Sequence, residues 1–281
     1  MPYRAVRLVV ILTTAAAVAV VVSCGPQPPK PGTPAFKWFA AHDAYKKGDY
    51  DKANDLLVQV AKSDNEFTAK ARPWTMLLSQ AMVNGYYELS DEYLKAAEKA
   101  KRNPAAFRRL VNICKSKAAA AGMSYAEVSK AFLDSNKDQD VTLAFDIPDV
   151  SLDADPPQYK KLEEGTMLDE PEITQAERFV IRREVASAIC QAMNAGEDVA
   201  KAKAAYQQGE AKIPGPVFQM NTAQTLYDIG EMFGPKKLYQ PDRVRSVIYE
   251  TSLQALAFAK DDKAVPALKK KISESSKKLQ P

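Results

Sequence analysis

Histidine and cysteine, two side chains that often act as general base or nucleophile, are scarce in this sequence, whereas carboxylates are plentiful on charged helical patterns and in a predicted linker. The chain has a single histidine, His42, and three cysteines, Cys24, Cys114 and Cys190. With one histidine there is no recognisable Ser-His-Asp, Cys-His or histidine-rich metal arrangement. Neither a phosphate-binding P-loop nor a G-x-G-x-x-G segment occurs. We therefore predict that the protein is not an enzyme and that it needs no cofactor.

Cys24 has the most informative surroundings of the three cysteines. Arg4 and Arg7 make the N-terminus positive, and the fifteen residues 8–22 carry no charge. An apolar segment of this length suits the core of a signal peptide and is short for a membrane span. The small residue Ser23 then precedes Cys24. The pattern predicts an exported protein.

The run Val21-Val22-Ser23-Cys24 resembles the lipobox of bacterial lipoproteins. The resemblance implies that residues 1–23 are a signal peptide and that Cys24 becomes the lipidated N-terminus. A plain secretory signal and a single uncleaved membrane anchor are the alternatives. In this family an Asp after the cysteine favours the inner membrane. Gly25 therefore favours the periplasmic face of the outer membrane, if the bacterium is Gram-negative.

Residues 24–35 combine the predicted lipid anchor with a proline-rich tether, in which proline keeps the chain extended at about 3.1 Å per residue.

The whole chain is 46% apolar and 26% charged, as in ordinary globular proteins. A formal net charge of +4 gives no electrostatic reason to expect nucleic acid as a partner. Beyond residue 22, no apolar run approaches the ~20 residues of a spanning helix.

A repeat with a period of 37 residues follows the tether. The aligned pairs are Gly48 and Gly85, Tyr50 and Tyr87, Ala53 and Ser90, Leu57 and Leu94, and Val60 and Ala97, and the same step reaches Gly122. Apolar residues recur at three- and four-residue spacing, which is typical of helices. Each unit is therefore predicted to be a helix that ends near the glycine, a tight turn, and a second helix.

Residues 44–53, Ala-Tyr-Lys-Lys-Gly-Asp-Tyr-Asp-Lys-Ala, resemble the A-Y-x-x-G-D-Y-x-x-A core of the tetratricopeptide repeat (TPR) family. The period of 37 departs from the family's usual 34. The resemblance implies an all-α fold of TPR-like helical hairpins, an α-solenoid that is degenerate towards the C-terminus. It also implies a concave groove that binds a protein or peptide. Helical hairpins unrelated to the family are the alternative.

The groove-facing positions of the family fall on Trp38, His42, Tyr45, Lys46, Arg72, Thr75, Ser79 and Met82. Aromatic residues, arginine and methionine are enriched at the centres of protein interfaces. These eight residues are therefore the predicted partner-binding groove. The alternative is that Trp38 and Tyr45 pack against the tether or a neighbouring helix.

The chain is predicted to have five regions: a signal peptide (1–23), the anchor and tether (24–35), TPR-like repeats (36–134), an acidic proline-containing loop or linker (135–172), and a C-terminal helical repeat-like region (173–281). Thr174-Gln175-Ala176-Glu177 has the form of a helix capping box. Gly196 is predicted to lie in a turn between two helices. Three further helices are predicted at about 217–233, 242–260 and 264–279. The best strand-like segment, 141–145, is short and isolated.

Two other arrangements contain residue types that can form a metal site or a disulfide. Asp134, Asn136, Asp138 and Asp140 alternate as calcium ligands do in an EF-hand loop. Gln139 stands where that loop needs glycine and Phe145 where it needs a bidentate glutamate, so we predict no metal site.

Cys114 and Cys190 fall in apolar helical patterns. An exported protein can join them in a disulfide, and two buried free thiols are the alternative.

These features predict a membrane-anchored, exported lipoprotein that acts as a protein–protein interaction scaffold in the cell envelope. Its partner would be an envelope protein or peptide, and its contact with the membrane would be the lipid on Cys24. The alternative is a TPR-type periplasmic lipoprotein that binds a small molecule in association with a solute transporter. An enclosed apolar cavity would favour that alternative, whereas an open groove would favour the scaffold.

Overall fold

A computed structural model describes residues 29–135, 139–207, 209–259 and 263–279, which are mostly helical. The helices in these residues are α1 (Pro34–Lys46), α2 (Tyr50–Ala61), α3 (Thr68–Lys99), α4 (Pro104–Ser135), α5 (Tyr159–Glu163), α6 (Glu170–Ala192), α7 (Val199–Ala204), α8 (Gly215–Met232), α9 (Asp242–Leu256) and α10 (Val265–Lys277). The strands are β1 (Val141–Leu143) and β2 (Ala211–Ile213). None of the helices described is long and apolar enough to cross a bilayer.

The hairpin of α1 and α2 forms around Gly48, as predicted. Thr33 caps α1 by accepting a hydrogen bond from the Phe36 amide at 3.2 Å. Asp49 caps α2 by accepting one from the Lys52 amide at 3.4 Å. Gly48 has a φ of 72°, a conformation that glycine adopts at little cost. Two adjacent residues therefore end one helix and begin the next.

The turns predicted at Gly85 and Gly122 are wrong, because both glycines lie inside long continuous helices. The residue after Gly85 is a tyrosine, which cannot cap a helix as Asp49 does. Both glycines instead permit close packing. A β-carbon on Gly85 would lie 3.2 Å from the Ile181 side chain, and one on Gly122 would lie 2.7 Å from the Phe233 ring. The second and third units are thus parts of one antiparallel pair, α3 and α4.

The segment predicted as a loop or linker, 135–172, contributes to the core instead. In this segment β1 pairs antiparallel with β2, and Val141 stands opposite Ile213. This small sheet adds to the all-α fold expected from the sequence. Phe145 and Leu162 are each only 1% exposed. Buried side chains of this segment therefore pack in the same core as the helices before and after it.

The C-terminal helices follow the predicted order. The start of α6 was misplaced, because Asp169 and Glu172 form its capping box. Gly196 lies between α6 and α7, as predicted, with a φ of 66°. Helices α8, α9 and α10 surround a second apolar cluster, which also includes one residue of α4: its members are Leu133, Ala223, Tyr249, Ala255, Leu256, Leu268 and Ile272. Outside this cluster, the ring centres of Phe132 in α4 and Phe218 in α8 lie 5.3 Å apart. The second half of the molecule is therefore built onto α4.

Candidate binding site

Most of the predicted groove residues lie in the core. Buried are Trp38, Tyr45, Thr75, Ser79 and Met82; His42 and Arg72 are half-buried, and Lys46 is exposed. The hydroxyl of Thr75 donates to the Ala71 carbonyl at 2.8 Å, and that of Ser79 donates to the Asn54 side chain at 2.9 Å. These side chains already have partners inside the protein, so the open groove predicted here is wrong.

Phe145, which follows β1, fills the place of the predicted groove. Its ring centre lies 4.4 Å from that of Trp74, 5.3 Å from Trp38 and 5.1 Å from Tyr45. The Tyr45 hydroxyl donates to the backbone carbonyl of Asp146 at 3.0 Å. The chain therefore covers this face of the helices with its own segment.

An apolar cleft of about 700 Å³ lies between the C-terminal half of α4 and α9. Its apolar lining consists of Met123, Ala126, Pro241, Val244, Val247 and Ile248, with Thr251 beside them. Met123 is 43% exposed and Val247 is 48% exposed. The opposite face of α9 packs in the second apolar cluster through Tyr249 and Leu256. Ile248 and Thr251 are themselves buried, so the part of the cleft that is open to a ligand is the surface around Met123 and Val247.

Three charged side chains line the edge of this cleft: Glu127, Lys130 and Arg243. Glu127 is paired at 2.8 Å with Lys62, the residue that follows α2. Lys130 and Arg243 make no ion pair within the described part of the chain. The edge therefore carries uncompensated positive charge, which favours an acidic group on whatever enters the cleft.

Sequence reasoning missed the cleft although a signal was present. Val244, Val247 and Thr251 recur at helical spacing, and Tyr249 and Leu256 mark a second apolar face of the same helix. Only one face of a surface helix is normally needed for the core. A helix that is apolar on two sides indicates a second contact.

A partly buried polar cluster joins α2, α3, α4 and α6. The Tyr86 hydroxyl donates to the Asp51 carboxylate at 2.6 Å. The Lys117 ammonium donates to Asp51 at 3.0 Å and to Glu177 at 3.2 Å. Burial acts to lower the pKa of Lys117, but the two carboxylates outweigh it and raise that pKa. Lys117 therefore stays protonated near neutrality and serves as a donor, whereas a nucleophilic lysine needs a lowered pKa.

Cys114 and Cys190 are separate free thiols, and both are buried. The disulfide considered from the sequence is therefore not formed. Burial raises the pKa of the Cys114 thiol to about 12 and also raises that of Cys190. The reactive thiolate is scarce at neutral pH in such surroundings.

We expect neither thiol to react with a soluble maleimide while the protein is folded, because both are buried and protonated. In denaturant both should react, and the mass gained should correspond to two labels without prior reduction. Intact mass spectrometry of a Cys24→Ser form measures this. Labelling that requires a reductant would contradict the assignment as free thiols.

Metal-binding groups of three or more side chains are not found among the described residues. Asn136 and Asp138, of the calcium-like series, lie outside those residues, as does Cys24. Asp140 accepts a hydrogen bond from the Gly215 amide at 3.2 Å, near the start of α8. That carboxylate therefore has a structural partner.

No family model, curated protein or solved structure matches this chain significantly. The resemblance to lipoproteins and to TPR proteins therefore depends on the sequence motifs alone.

Proposed function

We propose that this chain is an exported lipoprotein that holds a partner protein or peptide beside a membrane of the cell envelope. The apolar cleft between α4 and α9 carries the binding part of this proposal. Its exposed side chains, Met123 and Val247, are not needed to complete the core, and contiguous exposed apolar surface marks interaction sites. The anchoring part is supported by the signal-like residues 1–23 and by Cys24.

The shape and charge of the cleft favour an amphipathic helix as its occupant. Its two walls are helices, so a third helix could lay an apolar face with i, i+3, i+4 and i+7 spacing between them. Lys130 and Arg243 at the edge would meet acidic residues beside that face. We therefore propose a partner segment that is apolar on one side and acidic on its flanks.

A carboxylate at position 247 should abolish this binding, because it would be buried against the apolar face of the partner. It would also pair with Arg243, one helical turn earlier, in competition with the acidic residues of the partner. We expect Val247→Glu to eliminate the proteins that co-purify with the detergent-solubilised lipoprotein. Leu94→Glu is the matched control, since Leu94 is 42% exposed but lies on α3 outside the cleft. Equal recovery of those proteins with both variants would contradict the proposal.

The anchoring part has a separate test. Replacing Cys24 by serine should abolish incorporation of labelled palmitate and release the protein into the soluble envelope fraction, because the lipid attachment atom is lost. The unchanged chain should take up label and sediment with membranes. Persistent labelling of the Cys24→Ser variant would place the lipid on another residue, and absence of label from the unchanged chain would contradict the anchoring.

A second candidate function is the binding of a small apolar molecule in association with a solute transporter. The observation that favours it is the volume of the cleft, about 700 Å³, which falls within the range of ligand pockets. A metabolite that raises the melting temperature of the unchanged protein, but not of Val247→Glu, would support this function. Such a shift without any cleft-dependent protein partner would replace the scaffold proposal.

A further inference from the structure

Two phenylalanines near the start of α1 are exposed although this helix also has a buried face. Phe36 is 39% exposed and Phe39 is 52% exposed. They are three residues apart and therefore share one side of the helix. The Phe39 ring lies 6.1 Å from the ring of the half-buried Phe67, which directly precedes α3. We call Phe36, Phe39 and Phe67 the aromatic patch.

The aromatic patch adds little to the core of the protein itself. Phe67 stacks on Trp38 at 5.6 Å, but Phe36 and Phe39 lie on the solvent side of this contact. Scattered single apolar residues are normal on protein surfaces, whereas neighbouring aromatic rings indicate a partner.

The chain itself limits how far this patch can be from the proposed anchor. Thr33, the N-cap of α1, is the ninth residue after Cys24. At no more than about 3.6 Å per residue, the start of α1 lies within about 32 Å of the lipidated cysteine. Phe36 and Phe39 occupy the first two turns of that helix. Tethering at such short range gives a high effective concentration, so even a weak surface engages the membrane.

From this position we infer that the aromatic patch docks on the membrane in which Cys24 is anchored, with its rings in the interfacial region of the lipid. Phenylalanine side chains on the apolar face of a helix are buried at the boundary between lipid headgroups and acyl chains. The inference rests on the proposed lipidation of Cys24. It adds a second membrane contact, which fixes the orientation of the helical body.

The charges around the patch indicate that apolar transfer, and not lipid charge, provides the contact. Lys37 lies between the two phenylalanines in sequence, and the exposed Glu66 directly precedes Phe67. The patch is therefore not uniformly basic. Docking should occur on zwitterionic as well as on anionic vesicles and should persist at high salt.

A polarity-sensitive fluorophore on a single cysteine tests this docking. The lipidated, full mature protein is reconstituted into phosphatidylcholine vesicles and carries NBD on Ala40→Cys, one helical turn from Phe36. The natural thiols do not interfere, because Cys114 and Cys190 are buried and Cys24 is blocked by lipid. Ala105→Cys is the control position. It is exposed and follows the far end of α3, about 48 Å along that 32-residue helix.

We expect the probe at position 40 to shift to shorter wavelength and to be shielded from aqueous iodide. The probe at position 105 should remain water-like. Adding Phe36→Ser and Phe39→Ser to Ala40→Cys should abolish the shift while the protein still floats with the vesicles. A water-like probe at position 40 in protein that floats would overturn docking and leave the anchoring proposal standing.

Two other outcomes also overturn the inference. Protein that carries no lipid and does not float removes its premise and contradicts the proposed anchoring as well. A shift at position 40 that appears in detergent micelles without vesicles, and grows with protein concentration, assigns the patch to a second copy of the chain.

Discussion

Replacing Phe145 by alanine is expected to lower the free energy of unfolding by about 3–5 kcal/mol, the usual cost of removing a large buried aromatic side chain. The ring is 1% exposed and lies within 5.3 Å of the ring centres of Trp38, Tyr45 and Trp74. Its removal leaves a cavity lined by rigid rings that cannot close. Urea denaturation of the Cys24→Ser form, monitored by circular dichroism, measures the change.

Phe39→Ala is the matched control for this prediction, because the same side chain is removed from a position that is 52% exposed. Its effect should stay below about 1 kcal/mol, as for most surface substitutions. Phe145→Leu covers the case in which the alanine variant does not fold, and should cost about 1.5 kcal/mol or less. Equal losses for Phe145→Ala and Phe39→Ala would contradict the inclusion of Phe145 in the core.

Replacing Lys117 by methionine is expected to destabilise the protein by about 1–3 kcal/mol at neutral pH. Breaking a fully buried ion pair costs about 3–5 kcal/mol, and an exposed pair is worth at most about 1 kcal/mol. The intermediate figure applies because the side chain of Lys117 is 32% exposed and that of Glu177 is 22% exposed. The variant leaves two carboxylates near each other without their shared cation.

The loss caused by Lys117→Met should depend on pH. Burial raises the pKa of Glu177 above its ordinary value, while Lys117 acts to lower it. A carboxyl whose pKa is raised by folding stabilises the fold in its protonated form, and this contribution disappears as the pH rises through that pKa. Without Lys117 the pKa rises further, so the deficit is largest at neutral pH and shrinks in acid.

Thermal melts at about pH 4 and about pH 7.5 test this dependence, since an ordinary glutamate titrates near the lower value. Adding Glu177→Gln to Lys117→Met should recover part of the loss at the higher pH. Lys115→Met is the control, because Lys115 makes no ion pair within the described residues and its loss should not vary with pH. An identical loss of stability for Lys117→Met at both pH values would show that the pKa of Glu177 does not depend on the Lys117 ammonium group.

The features that could be predicted from the sequence are those whose cause is local. Gly48 and Asp49 place a left-handed residue and a helix cap side by side, which determines the turn between α1 and α2. Likewise, α8, α9 and α10 are each predicted by the spacing of apolar residues within that helix alone. Gly85 shows the limit, because glycine serves both turns and close approaches. What decides its role is Ile181, almost one hundred residues away.

The candidate site could not be predicted for the same reason. The family pattern placed Trp38 and Tyr45 in a groove, but no local feature indicates that Phe145 would occupy it. Proline and acidic residues around Phe145 favoured a loop, and residues 139–169 are indeed irregular apart from β1 and α5. Its burial depends on aromatic rings about a hundred residues earlier. The cleft on α9 required knowing which of two apolar faces the core uses.

The pairing of β1 with β2 also affects when the protein can fold. Val141 cannot pair until Ile213 has been synthesised and brought next to it. Closing so long a loop costs conformational entropy and slows folding. During synthesis, the hairpin of α1 and α2 therefore emerges long before the residues that complete its surroundings. A chain with such late closure is expected to complete its core only after most of it has been made.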